Sequence, residues 1–209
     1  SSINYTIMSN VLEILSSAFW DEQYKVKAPW DLNSPNPVFT YLIKNNIINP
    51  SKLIILGSGK GYDAVLASES GFEVTAVDFS VEAINYSIEL SKKFNAKVNF
   101  INSDMIEIDS NLNNTFDLLY EYVTYCAIEP SKRNQFINLV KRLLKPGGRF
   151  ITVLFPIDGR GGGPPFSVNQ NEFIKILSAD FKLELMIKNI PSVKPRKGKE
   201  VLLIFRKAE

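Results

Sequence analysis

Leu56-Gly57-Ser58-Gly59-Lys60-Gly61-Tyr62-Asp63 is the stretch on which the reading of this chain turns. It follows a short apolar run at 53–56 and opens a helical pattern over about 62–70. Glycine at three alternate positions lets the backbone turn from strand into helix and approach a ligand closely. A plain strand-to-helix turn does not need three. The dinucleotide fingerprint would set its third glycine where Tyr62 stands, so the spacing here is G-x-G-x-G.

Outward from the loop, strand and helix patterns alternate. Upstream, Ile7, Val11, Leu12, Leu15 and Ala18 recur at helical spacing over 3–18, and 38–46 is helical after the loop Asn33-Ser34-Pro35-Asn36-Pro37. Downstream, strands are expected at 73–77, 97–102, 116–122 and 149–155, with helices at 81–94, 131–144 and 169–178. Lys145-Pro146-Gly147-Gly148 reads as a tight turn, and 157–167 as a Gly/Pro loop. Two last strands, 181–190 and 199–207, read as an antiparallel hairpin. The alternation specifies an α/β, Rossmann-like, seven-stranded sheet, mainly parallel with an antiparallel C-terminal edge hairpin. One domain over 1–209 is expected, with 1–48 as an N-terminal helical cap or lid and 49–209 as the core. Ligands in such sheets bind beyond the carboxyl ends of the strands.

The strand ends carry the chemistry. Asp78, followed by Phe79, closes the second strand 21 residues after Gly57, where a carboxylate accepts from ribose hydroxyls. The competing role is an N-cap for the helix from Val81, but Ser80 can fill that position. After the third strand, Asp104 suits an adenine amino group, with Met105 against the ring. A cap aspartate is the plainer alternative there.

Composition narrows the rest. Of 209 residues, 45% are hydrophobic and 22% charged, and the net charge is +2, which points away from a nucleic-acid partner. The single cysteine, Cys126, can make no internal disulfide and no multi-thiolate metal site. Histidine is absent, which removes the commonest metal ligand and general base. No metal is expected. No apolar run is long enough to span a membrane, and Ser1 to Met8 has no signal-peptide pattern. A cytoplasmic, monomeric protein acting on a small molecule is the expectation.

With these residues in place, the chain resembles class I methyltransferases that use S-adenosylmethionine (SAM). It is similar to the thiopurine methyltransferase-like family, in its thiol/halide/thiocyanate branch. The resemblance rests on Trp20-x-x-x-Tyr24, Pro29-Trp30-Asp31, the glycine loop, Phe116 to Tyr122 and Cys126-Ala127-Ile128-Glu129-Pro130. Further on it rests on Leu144 to Gly148, Gly162-Gly163-Pro164-Pro165-Phe166 and Arg196-Lys197-Gly198-Lys199-Glu200. It implies that Trp20, Tyr24 and Trp30 close over SAM. It puts Gly57, Gly59 and Gly61 at the cofactor backbone, Asp78 with Phe79 at the ribose, and Asp104-Met105 at the adenine. Tyr122 then faces the methionine end. Two departures stand out: the loop reads Gly-Ser-Gly where relatives often have Gly-Cys-Gly, and Ile55 occupies the place where many class I enzymes carry an acid.

Methyl transfer from a sulfonium needs alignment and exclusion of water more than acid–base help. Soft anions need little or no deprotonation, which suits a chain without histidine. The expected reaction methylates a thiol or sulfide, or thiocyanate or halide, and leaves S-adenosylhomocysteine. Larger thiols, thiopurines and selenium or tellurium species are the alternative acceptors, and a non-catalytic SAM-binding protein is the alternative class. Tyr122, Tyr125 and Arg160 are the catalytic candidates, with Phe155 and Phe166 lining the acceptor pocket. Against this, Arg160 also reads as a surface arginine and Tyr125 as core. Cys126 reads as buried and structural, and Lys194, Arg196, Lys197 and Lys199 as a solvated turn.

Overall fold

The computed structural model describes residues 33–209. The helical pattern at 3–18 and the aromatic residues Trp20, Tyr24 and Trp30 lie outside the described residues. The elements run α1 (Pro37–Lys44), β1 (Lys52–Leu56), α2 (Tyr62–Glu69), β2 (Glu73–Asp78), α3 (Val81–Lys93) and β3 (Val98–Asn102). They continue with β4 (Phe116–Tyr122), α4 (Thr124–Ala127), α5 (Arg133–Leu143), β5 (Leu144–Leu154), α6 (Gln170–Leu177), β6 (Phe181–Ile187) and β7 (Val201–Lys207).

Side chains alternate across β1 and so serve two layers. Leu53 and Ile55 pack with Val38, Phe39 and Leu42 of α1 and Ala64 and Ala67 of α2. Ile54 and Leu56 pack on the other face, with Phe136, Leu139 and Val140 of α5 and Phe173 of α6. A strand buried on both faces reads as a continuous apolar run, which is why KLIIL shows no polar alternation. Proline is pre-set for the first turn of α1, and Pro37 stands there. Ser80 caps α3 by accepting from Ala83 N at 3.1 Å, and Asn169 caps α6 by accepting from Asn171 N and Glu172 N. Caps of this kind contribute about 1 kcal/mol each.

The described residues form one seven-stranded sheet in the order β3-β2-β1-β4-β5-β7-β6. The first five strands in that order pair in parallel, and β7 is antiparallel to both β5 and β6. The expected mixed sheet and its antiparallel hairpin are therefore present. The strand order reverses between β1 and β4, which opens a crevice at their carboxyl ends.

Two local features differ from expectation. Lys145 to Gly148 is not a turn before the strand. It lies inside β5, as an irregularity between the pairs Phe116↔Leu144 and Leu118↔Arg149. Gly147, at φ 77°, absorbs the bend. The short helix α4 was not foreseen, because four residues carry no readable period.

Candidate active site

A cleft of about 420 Å³ opens at the switch point, within the usual range for small-molecule and cofactor sites of roughly 300–1,000 Å³. One wall is the glycine loop. Gly57, Gly59 and Gly61 all have left-handed backbones, at φ 64°, 57° and 87°. Gly57 is further required by its neighbour: a Cβ there would lie 2.3 Å from Thr124 Oγ1. Ser58 N donates to Val77 O at 2.9 Å and Gly59 N to Asp78 Oδ2 at 2.8 Å, so the loop is tied to the end of β2. Ser80 N donates to the other Asp78 oxygen at 2.9 Å. These two amides fix the carboxylate at the cleft wall, with Ser80 and not Asp78 as the helix cap.

Phe79, Asp104 and Met105 continue this wall. Asp104 does what its plainer reading required: Oδ1 accepts from Ile106 N at 3.0 Å and caps a single helical turn, Met105–Glu107. It lines the cleft as well, so the cap orients the carboxyl group beside Met105.

The opposite wall starts at the end of β4. Val123 is left-handed at φ 59°, an unfavourable conformation for a β-branched residue. Its surroundings hold it there. Val123 N donates to Val153 O at 3.0 Å, and Thr124 N and Tyr125 N both donate to the buried Glu121 carboxylate, at 2.8 and 3.2 Å. Thr152 also donates to Glu121. Burial outweighs these donors and pushes the Glu121 pKa up to about 7. Thr124 Oγ1 donates to Leu56 O at 3.2 Å, which joins β4 to β1 across the mouth of the crevice.

Tyr122 lies in the cleft and donates to Glu200, which also accepts from Ser192. Burial, then the Glu200 charge, push the Tyr122 pKa far above its usual value. Arg196 also lines the cleft, with its guanidinium 5.0 Å from the centre of the Tyr122 ring. Ile128, Glu129, Lys132, Phe155, Pro164 and Pro165 also lie on this side.

The cleft thus gathers Gly57, Gly59, Gly61, Asp78, Phe79, Asp104, Met105, Tyr122 and Phe155 from the expected set. Three other candidates sit elsewhere. Tyr125 is core: it is 5% exposed, packed between Phe136 and Phe173, with Arg133 4.8 Å from its ring centre. Arg160 is a surface residue whose guanidinium is paired with Asp158 and sits 5.3 Å over Phe155. Phe166 packs on Gly163 and is not part of the cleft wall. Cys126 is buried and accepts from Phe155 N, and burial pushes its thiol up to about 12, so it is an inert thiol. Among the described residues no cluster suited to a metal ion exists.

Other residues at the cleft were given no role by the sequence: Asp63, Tyr120 and, behind Tyr122, Glu200 stand in quoted segments without one, and Thr124 and Lys132 carry no local signal. Arg196 had a signal only in its segment, which read as a solvated turn.

The fold recurs in solved methyltransferases. The 1,6-didemethyltoxoflavin-N1-methyltransferase of Burkholderia thailandensis, solved with S-adenosylhomocysteine, matches with a TM-score of 0.71 at 20% identity. That match covers 98% of this chain and 90% of that one, and at this identity it shows the fold: a class I methyltransferase sheet. Sequence narrows the class. The thiopurine S-methyltransferase family model matches residues 15–207, and the chain belongs to that family of SAM-dependent methyltransferases. Probable thiol methyltransferase 2 of Arabidopsis thaliana is 36% identical over 200 residues, covering 92% of this chain and 86% of that protein. Thiocyanate methyltransferase 1 of Brassica oleracea is 31% identical over 182 residues, covering 86% and 80%.

The described residues fit SAM as cofactor. The loop lies where backbone can approach the ligand, a carboxylate is fixed at the end of β2, and two buried cleft hydroxyls, Ser58 Oγ and Tyr120 Oη, make no hydrogen bond. Such orphans need a polar partner, which a bound ligand can provide.

Proposed function

We propose that the protein methylates a small, soft nucleophile that arrives as an anion: a thiolate or hydrosulfide, thiocyanate, or a halide. SAM supplies an electrophilic methyl group on a sulfonium, and the products are S-adenosylhomocysteine and the methylated acceptor. In this reading the Gly57–Gly61 loop, Asp78 with Phe79, and Asp104 with Met105 hold the cofactor at its backbone, ribose and adenine. Trp20, Tyr24 and Trp30 close over it, and an aromatic face contributes about 0.5–2 kcal/mol to holding a cation.

The observation that carries the reading is the make-up of the acceptor wall. It offers two cations, Arg196 and Lys132, against one carboxylate, Glu129, among Ile128, Phe155, Pro164 and Pro165. Cations in an apolar setting draw in an anion and shed its water. Tyr122 cannot act as a base near neutral pH, since burial and Glu200 keep its proton on. An acceptor that is already deprotonated needs no such base. Tyr122 instead forms part of the surface that aligns it.

Purified protein with SAM and, separately, sulfide, methanethiol, a larger thiol, a thiopurine, thiocyanate, iodide and selenide tests this, with products read by chromatography. Turnover of a small soft anion well above the rest is expected. Turnover confined to larger thiols or thiopurines would overturn it; so would SAM binding without product from this panel, and a second panel of oxygen and nitrogen acceptors then separates another acceptor class from a non-catalytic binder. The same reading takes the chain as one methyltransferase domain with 1–48 as its cap, monomeric and cytoplasmic. Light scattering at a mass near 23.6 kDa checks the monomer. No helix among the described residues is long and apolar enough to cross a membrane.

A further inference from the structure

The amino-acid end of SAM carries an ammonium group, and a buried ammonium needs acceptors or an anion. The place two residues before Gly57 offers none: Ile55 is 3% exposed and packs in the core beside Leu53. Another carboxylate lies against the same part of the cleft. Asp63, in the first turn of α2, lines the cleft and is 9% exposed. Asn36 N and Nδ2 donate to its two oxygens at 2.7 and 3.1 Å, which fixes its plane. Among the described residues no lysine or arginine pairs with it, and burial pushes its pKa up to about 6.

Tyr120 stands next to it. The side chain is 1% exposed, borders the cleft and lies close enough to Asp63 to favour its charge, yet its hydroxyl makes no hydrogen bond of ordinary length and angle. Tyr120 and Tyr122 alternate with Glu121 along β4 and so share one face of the sheet. A buried carboxylate without a cation thus lies beside a buried hydroxyl that interacts with it but makes no hydrogen bond of ordinary length and angle, and Tyr120 is the register partner of Ile55, two residues before the glycine loop.

We infer that Asp63 and the Tyr120 hydroxyl receive the ammonium group of the cofactor's amino-acid end, in place of the acid missing at position 55. This rests on SAM being the cofactor. Asp63 and Tyr120 then discriminate between ligands with and without the amine, while Asp78 and the loop hold the nucleoside whichever is bound.

Titration calorimetry tests the pair with three ligands: S-adenosylhomocysteine, its deaminated analogue, and methylthioadenosine, which lacks the whole amino-acid end. Wild-type protein is expected to prefer S-adenosylhomocysteine over the deaminated analogue by about 10–100-fold, the range for a hydrogen-bonded charge. Asp63→Asn is expected to abolish most of that preference and to leave affinity for the deaminated analogue little changed. Tyr120→Phe, which removes one oxygen and keeps the core ring, is expected to reduce the preference by a smaller factor. Equal weakening of all three ligands in Asp63→Asn would mean that Asp63 serves only to hold Asn36, and would overturn the inference. So would an undiminished preference in Tyr120→Phe together with Asp63→Asn. If none of the three ligands bound wild-type protein, the cofactor assignment itself would fall, a result distinct from either.

Discussion

The two walls of the cleft are built by different means. The wall from β1 to β3 is made of neighbours in sequence: Gly59 to Asp78 is a bridge over 19 residues, and Asp104 caps its own next turn. The wall from β4 to β7 adds distant partners to its local bonds at Glu121. Tyr122 meets Glu200 over a separation of 78 residues, and Thr124 meets Leu56 over 68. The first wall follows from strand-end motifs that the local sequence carries. The second depends on how the segment carrying Arg196 and Glu200 falls back on β4, which no local motif announces.

The largest expected effect breaks the seam between the walls. Gly57→Ala puts a Cβ into the left-handed region and against Thr124, and should cost roughly 2–4 kcal/mol of stability by urea unfolding. Adding Thr124→Ala should return the steric part and leave the backbone part. Asp78→Ala attacks the first wall alone: affinity for S-adenosylhomocysteine should fall roughly 100-fold by calorimetry, two charge-assisted hydrogen bonds being lost. Unchanged affinity would remove Asp78 from the site.

A third comparison uses pH on the ligand-free protein. Asp63, under the first wall, is raised from 3.8 to about 6, and Glu121, under the second, from 4.5 to about 7. Each folded-state carboxyl holds its proton where the unfolded chain has lost it. The stability each contributes is therefore complete below its unfolded value and declines as pH rises through its folded value. Urea unfolding between pH 4 and 8 should show wild type losing on the order of 1–3 kcal/mol relative to Asp63→Asn or Glu121→Gln, with the Asp63 step at lower pH. A flat difference would assign both groups ordinary ionisation.

Smaller effects separate the acceptor wall from its surroundings. Arg196→Ala should lower kcat/KM for an anionic acceptor roughly 10-fold while cofactor affinity stays nearly constant, as expected for a guiding charge. Arg160→Ala, outside the cleft, and Cys126→Ala should leave kcat/KM within a factor of about 2, since surface ion pairs and inert thiols contribute little. A large loss in Arg160→Ala would bring that loop into the acceptor site after all.

The same division explains what the sequence made legible. The strand–helix alternation, the glycine loop and the acids at 78 and 104 are local patterns, and all are found at the cleft. On the other side Tyr122 and Phe155 line the cleft, while Tyr125 and Arg160 take the core and surface places that were their alternative readings, because what separates them is tertiary. Arg160 sits among glycines and prolines with Asp158 two residues away, and Arg196 among lysines, a proline and a glycine; Arg160 pairs with that near neighbour, whereas the fold lays Arg196 over Tyr122. Tyr125 looked like a cleft residue because it follows β4. The left-handed turn at Val123 starts a short helix that delivers it to Phe136 and Phe173 instead. Tyr120 and Asp63 fall in the expected strand at 116–122 and helix from about 62, and only the fold brings them together.

The position of β7 bears on how the molecule is made. It leaves the ribosome after β6, yet lies between β5 and β6 in the sheet. Until it emerges, β6 has no neighbour to pair with, and at about 5–20 residues per second the wait is on the order of seconds. Glu200, the anchor of Tyr122, arrives just ahead of β7 in the same late segment. A nascent chain can therefore pair β1 to β5 and form the wall from β1 to β3 while the segment that carries Glu200 and β7 is still being translated.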